Sequence, residues 1–358
     1  MISDIRLQKF RSYADESFEI EDGVNIVVGP NASGKSNLLE AILMLARGSS
    51  YRAADSEVVA HEAPWARLDV HLDDGVRTLK MIREPNDRIR KEFIIDEQIV
   101  KRLTQPKTLP VVLFEPDHLR LLSGSPENRR EYIDALLEQM DAHYGTLRRR
   151  YKRTLAQRNA LLKQGSHYAH QLFAWNIRLS ELAGQIVSAR LELLGQINKD
   201  LSRLYSEMAG KQNEVRFEYQ SSCLLEQYSS SLLHKLEQSQ ELDFLRGFTG
   251  SGPHRDDMMM WLNERPASET ASRGETRSLL LVLKIIELRL LEHSRGQKPI
   301  LLLDDVFSEL DGARRRALTE VIGSYQTFIT TTDADVVVQH FINNCNIIPL
   351  SLESEQSS

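Results

Sequence analysis

The chain has 358 residues, with 45 Lys and Arg against 51 Asp and Glu for a net charge of −6, and 41% of its residues are hydrophobic. This is the composition of an ordinary water-soluble fold. A length beyond roughly 250 residues favours two domains over one core, and the acidic balance excludes a histone-like protein coated in positive charge. No stretch approaches the roughly 18 consecutive apolar residues of a membrane span, Met1 to Asp4 lacks the layout of a signal peptide, and Cys223 and Cys345 form no CxxC pair. A cytoplasmic protein with two plain thiols is expected.

Val24 to Val28 is a β-branched run ending at Gly29-Pro30, and Asn37 to Arg47 then shows helical spacing through Leu38, Leu39, Ile42 and Leu45. Strand, glycine-rich loop and helix therefore follow one another. Leu68, Val70 and Leu72 alternate with polar residues up to Asp74-Gly75, a turn, after which Val76 to Ile82 returns as the other arm of a hairpin. An extended pair is read at Phe93 to Val100, and Pro110 to Phe114 is an apolar run of strand length.

From Pro126 to about Met208 the period changes. Ile133, Leu137, Met140, Tyr144, Leu147 and Tyr151 recur at alternating steps of four and three, and the positions from Leu172 through Ile186 to Leu204 nearly do the same. Gln164-Gly165-Ser166 reads as a turn, so these two segments are expected as an antiparallel helical hairpin. After a polar stretch at Gln227 to Gln240, Leu279 to Leu291 reads as a helix buried on most of its circumference. Ile300 to Leu303 reads as a buried strand, Gln326 to Thr330 and Ile347 to Leu350 as short strands, and Ser351 to Ser358 as a polar tail. The expected fold is α/β, a discontinuous domain of residues 1–125 plus 245–358 interrupted by an inserted helical arm at 126–244.

Gly29-Pro30-Asn31-Ala32-Ser33-Gly34-Lys35-Ser36 matches GxxxxGK[ST] in the strand-to-helix context of a phosphate-binding loop. Its glycines let backbone N–H groups turn inward, the helix start adds partial positive charge, Lys35 reaches β- and γ-phosphates, and the Ser36 hydroxyl holds Mg²⁺. Hydrolysis needs a second metal ligand and a group that activates water. Ile300-Leu301-Leu302-Leu303-Asp304-Asp305 places two acids at the carboxyl end of a buried strand, where ligand sites of open α/β sheets lie; Asp304 would hold the metal and Asp305 the water. Ser272-Arg273-Gly274-Glu275, directly before the apolar helix, reads either as an anion site or as a plain helix cap.

Taken together these motifs resemble the ABC-type ATPase heads of the SMC and RecF group, and within it the RecF family. Phe10-Arg11-Ser12-Tyr13 is similar to that family's FRNY element, and Phe114 to Arg130 to its FxPxxLxLxxGxPxxRR stretch. Gly252 to Asp257 matches its GPHRDD box, and Asp304 to Asp311 its DDVFSELD. The resemblance implies an ABC-type P-loop ATPase head with an inserted helical arm, binding ATP and Mg²⁺ and weakly hydrolysing ATP under DNA stimulation. It places Arg11 and Asn37 with the loop at the nucleotide, and Ser272, Arg273, Gly274 and Glu275 on the partner's γ-phosphate across a homodimer. It puts Asp311 at the dimer seam and Thr331, Thr332 and Asp333 where related ATPases carry a switch histidine, leaving open which threonine senses the phosphate. SRGE departs from the more usual Gln at the Glu275 position, and His254 and Arg255 read equally as a turn or as nucleotide sensors. The role implied is ATP-dependent DNA binding in recombinational repair and the SOS response, at junctions of single and double strands, assisting RecA loading with RecO and RecR.

The basic run Arg148-Arg149-Arg150-Tyr151-Lys152-Arg153 lies in the arm, and Arg120 to Lys163 holds ten basic and five acidic residues, 10 − 5 = +5. Phosphate neutralisation of this kind gives sequence-independent DNA affinity. The other reading is a solvated helix face pairing with Glu131, Glu138 and Asp141. Alternatives to repair are an ATPase driving a transporter or SMC-like machine, which the short, basic hairpin disfavours, and a scaffold that hardly hydrolyses, since Asp305 stands where many ABC ATPases have Glu.

Overall fold

A computed structural model of the chain describes residues 1–165, 169–210, 212–307, 310–333, 337, 339, 341 and 345–351. These divide into two compact units, Met1–His118 with Glu287–Ser358, and Leu119–Ile286. In chain order the first unit opens with β1 (Ile2–Phe10), β2 (Tyr13–Glu19), β3 (Val24–Val28), α1 (Lys35–Arg47) and α2 (Asp55–Val58). It continues with β4 (Trp65–Leu72), β5 (Gly75–Arg83), β6 (Ile89–Ile95), β7 (Gln98–Val100) and β8 (Val111–Phe114). The second unit holds α3 (Arg120–Ser123), α4 (Pro126–Met140), α5 (Tyr144–Gln164), α6 (Ala169–Ala209), β9 (Val215–Gln220), α7 (Tyr228–Gln238) and α8 (Gln240–Arg246). Next come β10 (Asp257–Leu262), β11 (Arg265–Pro266), α9 (Ala267–Thr270) and the long α10 (Arg273–Arg295), within which the boundary between the units falls. The first unit resumes with β12 (Ile300–Leu303), α11 (Gly312–Ile322), β13 (Thr327–Thr331) and β14 (Cys345–Pro349).

Two sheets build the first unit. One is antiparallel in the order β2-β1-β4-β5-β6-β7; the other has the order β14-β3-β13-β12-β8, with every pair parallel. Apolar residues run almost without a break along α1, from Leu38 to Ala46, and all are buried together with Leu7, Phe10, Leu68, Leu79, Val27 and Phe328 of both sheets. A helix that is apolar all round is stable only when covered on every side, which fixes α1 between the layers. β12 is buried at all four positions, as its unbroken Ile-Leu-Leu-Leu run requires of a central parallel strand.

The second unit departs from the sequence expectation in three places. The first heptad segment is two helices: α4 stops at Met140 because Asp141 turns extended and its carboxylate accepts from His143 N–H at 2.8 Å. The seam continues across the break because Tyr144 and Tyr151 still face the core. The stretch read as polar at Gln227 to Gln240 forms α7 and the start of α8; Tyr228, Leu232 and Leu236, four apart, make a buried stripe one residue wide that overall polarity hides. Residues 245–286, expected with the ATPase head, belong to this unit because β10 pairs antiparallel with β9 in a three-stranded sheet. The turn's Ser166 and the tail from residue 352 lie outside the described residues.

Candidate nucleotide site

All strands of the five-stranded sheet run the same way, so β3, β13 and β12 deliver their carboxyl ends side by side. β3 feeds residues 29–34 into α1. A Cβ on Gly29 would lie 2.4 Å from Ser33 Oγ and 2.6 Å from the Leu350 carbonyl, so only glycine fits the tight loop. Gly34 turns the chain into α1 at φ 96°, with its carbonyl accepting from Tyr13 Oη at 3.0 Å. The buried Lys35 curls back, its Nζ donating to the carbonyls of Gly29 at 2.8 Å and Pro30 at 2.9 Å. Ser33 Oγ is buried with no partner among the described residues, an orphan that an anion in the loop would satisfy. Pro30, Asn31 and Ala32 are exposed at the loop's tip, with Ala32 at φ 67°.

Asp304 leaves β12 with its N–H donating to the Phe114 carbonyl at 2.9 Å. Its Oδ1 accepts from Ser36 Oγ at 2.8 Å and Thr330 Oγ1 at 2.9 Å, and its Oδ2 accepts from Tyr51 Oη at 2.9 Å. Ser36 and Asp304 are 268 positions apart in sequence. Asp305 sits half-buried at φ 52°, its N–H donating to Thr330 Oγ1 at 2.8 Å. Thr330 thus touches both acids, although in the sequence it reads only as a strand residue. Thr331 is buried and closes a turn with Asp333, its hydroxyl donating to the Asp333 carbonyl at 3.0 Å and accepting the Asp333 N–H at 3.1 Å. Its own carbonyl accepts from Gly29 N–H at 3.4 Å, while Thr332 and Asp333 are exposed. Two adjacent acids, a hydroxyl and a lysine-guarded glycine loop are hard oxygen donors and an anion cradle, which fit Mg²⁺ and a polyphosphate.

Arg11, expected at the nucleotide, is engaged by a different group. Its guanidinium forks onto the fully buried Glu40 of α1, Nε to Oε2 at 2.8 Å and Nη2 to Oε1 at 2.9 Å. Arg52 also reaches Glu40 Oε2 at 3.1 Å and Asn37 Oδ1 at 2.6 Å, and Ser50 Oγ donates to Glu40 Oε1 at 2.5 Å. Burial pushes the Glu40 carboxyl up, but the Arg11, Arg52 and Ser50 hydrogen bonds outweigh it and hold the group below its usual range. Arg11 therefore pins α1 to the turn between β1 and β2.

In the second unit, Ser272 and Glu275 form a reciprocal cap at the start of α10. Glu275 Oε2 accepts from Ser272 N–H at 3.0 Å and Ser272 Oγ at 2.8 Å, and Glu275 N–H donates to Ser272 Oγ at 3.3 Å. Arg273 is exposed and Gly274 half-buried. In the first unit Asp311 caps α11, accepting from Arg314 N–H at 3.0 Å and pairing with the Arg314 guanidinium. Ser308 and Glu309 of the same motif lie outside the described residues.

The basic run divides. Arg148 is only 13% exposed and pairs with Glu131, Asp134 and Glu138, so it is structural. Arg149, Arg150, Lys152 and Arg153 are exposed. Asp141, expected among the pairing acids, serves the helix break instead. Arg158 is wholly buried on Asp243, Thr249 and Asn176. The GPHRDD box is a knot of polar contacts: Asp256 accepts from Tyr219, Tyr228 and Ser221, and Asp257 pairs with Arg129. His254 donates from Nε2 to the Thr249 carbonyl, so its Nδ1 accepts from Tyr151 Oη at 2.6 Å; burial drives its pKa down to about 4. Among the described residues no helix is long and apolar enough to cross a membrane.

A family model described as the RecF/RecN/SMC N terminal domain matches residues 1–349. The DNA replication and repair protein RecF of Heliobacterium modesticaldum is 36% identical over 343 residues, covering 92% of each chain. That of Ligilactobacillus salivarius is 34% identical over 360 residues, covering 96% of this chain and 94% of its own. A solved structure of the recombination mediator RecF with ATP, in the RecFOR pathway, superposes with a TM-score of 0.83 at 28% identity over 93% of this chain and 92% of its own. An Smc head bound to ScpA superposes with a TM-score of 0.53 at 15% identity over 95% of this chain and 92% of its own, a likeness of fold alone.

Proposed function

The chain belongs to the RecF family, with the ABC-type ATPase head fold, and on that premise we propose that it is an ATP-dependent DNA-binding protein of recombinational repair. ATP would lie in the loop of residues 29–36, with Lys35 released from its own loop carbonyls onto the β- and γ-phosphates. Ser36 and Asp304 would hold Mg²⁺, which when bound offsets the charge of the phosphates. Asp305, held by Thr330, would orient and deprotonate the attacking water. Its carboxylate is one methylene shorter than that of Glu, which suits slow turnover and a switch rather than a motor.

The observation that carries this reading is the 2.8 Å hydrogen bond between Ser36 Oγ and Asp304, which joins the phosphate loop to the acidic strand end. In the proposed cycle ATP draws two protomers together, Ser272 and Gly274 of each meeting the γ-phosphate held by the other, with Asp311 at the seam. Ser272 must then exchange its bond to Glu275 for one to phosphate. The closed dimer would bind DNA near single-strand gaps through the exposed cations of α5. Weak, DNA-stimulated hydrolysis would reopen it, and with RecO and RecR it would assist RecA loading and so the SOS response in the cytoplasm. The test is equilibrium binding of a fluorescent ATP analogue to the wild-type chain and to Lys35→Ala: the variant should lose binding at least tenfold, and equal affinity would sink the assignment of the loop.

A further inference from the structure

Tyr51 belongs to none of the motifs, yet its hydroxyl is the donor 2.9 Å from Asp304 Oδ2, while Ser36 and Thr330 share Oδ1. Those two arrive on α1 and β13, elements fixed by the core. Tyr51 arrives on the segment between α1 and α2, which is fastened on both sides of the ring. Ser50 Oγ donates to Glu40 and also accepts the N–H groups of Arg52 and Ala53, each at 3.1 Å. Arg52 grips Glu40 and Asn37 and lies 5.6 Å from the centre of the Tyr51 ring. The segment is thereby tied to α1, the helix that carries Lys35 and Ser36. A carboxylate whose second oxygen is held by a fixed donor resists rotation, which keeps its first oxygen turned toward Ser36. Partners of this kind, one step removed from a metal, set ligand orientation and metal affinity.

We propose that Tyr51 is a positioning residue for Asp304, presenting Oδ1 toward Ser36 and so setting the affinity of the nucleotide site for its divalent cation; this rests on the nucleotide reading above. The test is a Mg²⁺ titration of fluorescent, non-hydrolysable ATP analogue binding, with a parallel measurement in EDTA. Tyr51→Phe keeps the ring and removes the hydroxyl. It should raise the half-saturating Mg²⁺ concentration roughly tenfold and leave affinity in EDTA unchanged. An unchanged or lowered Mg²⁺ requirement, or an equal loss in EDTA, would overturn the role of Tyr51. A wild-type chain indifferent to Mg²⁺ would instead overturn the metal assignment to Ser36 and Asp304. Should Tyr51→Phe not fold, Ser50→Ala, which loosens the segment and retains the hydroxyl, should shift the Mg²⁺ requirement in the same direction by a smaller factor, and no shift would count against the proposal.

Discussion

The division of the basic run makes a quantitative forecast about DNA. Arg149, Arg150, Lys152 and Arg153 are exposed on α5, whereas Arg148 is held by three carboxylates at 13% exposure. Each phosphate neutralised by a cation contributes about −0.9 to the slope of log K against log salt on duplex DNA, so replacing all four exposed cations by Ala should flatten that slope by up to about 3.6. The assay is fluorescence anisotropy of a labelled gapped duplex across a salt series in the presence of ATP analogue, with melting temperature as a check on folding. Folding should be nearly unaffected, since exposed positions seldom matter by more than about 0.5 kcal/mol. Arg148→Ala should behave the other way. Removing one member of a largely buried ionic cluster costs on the order of 3 kcal/mol, while Arg190 still partners Asp134, and the salt slope should barely change. A quadruple variant with the wild-type slope would show that these four cations do not meet phosphate and would place the DNA surface elsewhere.

Three further outcomes are expected. Glu275→Gln keeps the cap geometry but removes a negative charge 2.8 Å from Ser272 Oγ, so ATP-dependent dimerisation should tighten severalfold in analytical ultracentrifugation; a weaker dimer would contradict the repulsion argument. His254 is neutral in the fold with its pKa down at about 4 against an ordinary 6.5, so between those values the unfolded chain binds the extra proton. Stability should therefore fall as pH drops from 6.5 toward 4, by at most about 3 kcal/mol, and His254→Gln should flatten this part of a urea-melt pH profile. Glu40→Ala strands Arg11 and Arg52 together, and should destabilise the chain by about 3–5 kcal/mol in thermal melts; a change under about 1 kcal/mol would show that neither guanidinium depends on it.

The elements legible in the sequence are those with unbroken periodic patterns or motif chemistry. The order β3, loop, α1 and the run of β12 into Asp304-Asp305 were visible because a covered helix and a covered strand must be apolar throughout. The pair β4–β5 follows from alternation and a turn, whereas the extended pair read at Phe93 to Val100 covers β7 and only the end of β6. Partners that side chains find across the fold were not visible. Nothing local marks Tyr51 or Thr330 as donors to Asp304, and no spacing rule links Arg11 to Glu40. Arg148 and Arg149 are neighbours in a charge run, yet one faces a cluster of acids and the other solvent, a difference of 100° of helical rotation. The break after α4 leaves no mark in the pattern because the heptad seam runs straight across it. α7 leaves none because a stripe of three apolar residues is too narrow to lift the polarity of its segment.

In the proposed cycle one protomer's phosphate loop and Asp304 close on the other's Ser272 when ATP is bound. Light-scattering mass with and without ATP and Mg²⁺ tests it most directly, comparing the wild-type chain with Ser272→Ala. The wild type should pass from monomer to dimer while the variant binds ATP and remains a monomer. A variant that dimerises like the wild type, or a wild type whose mass ignores ATP, would contradict it.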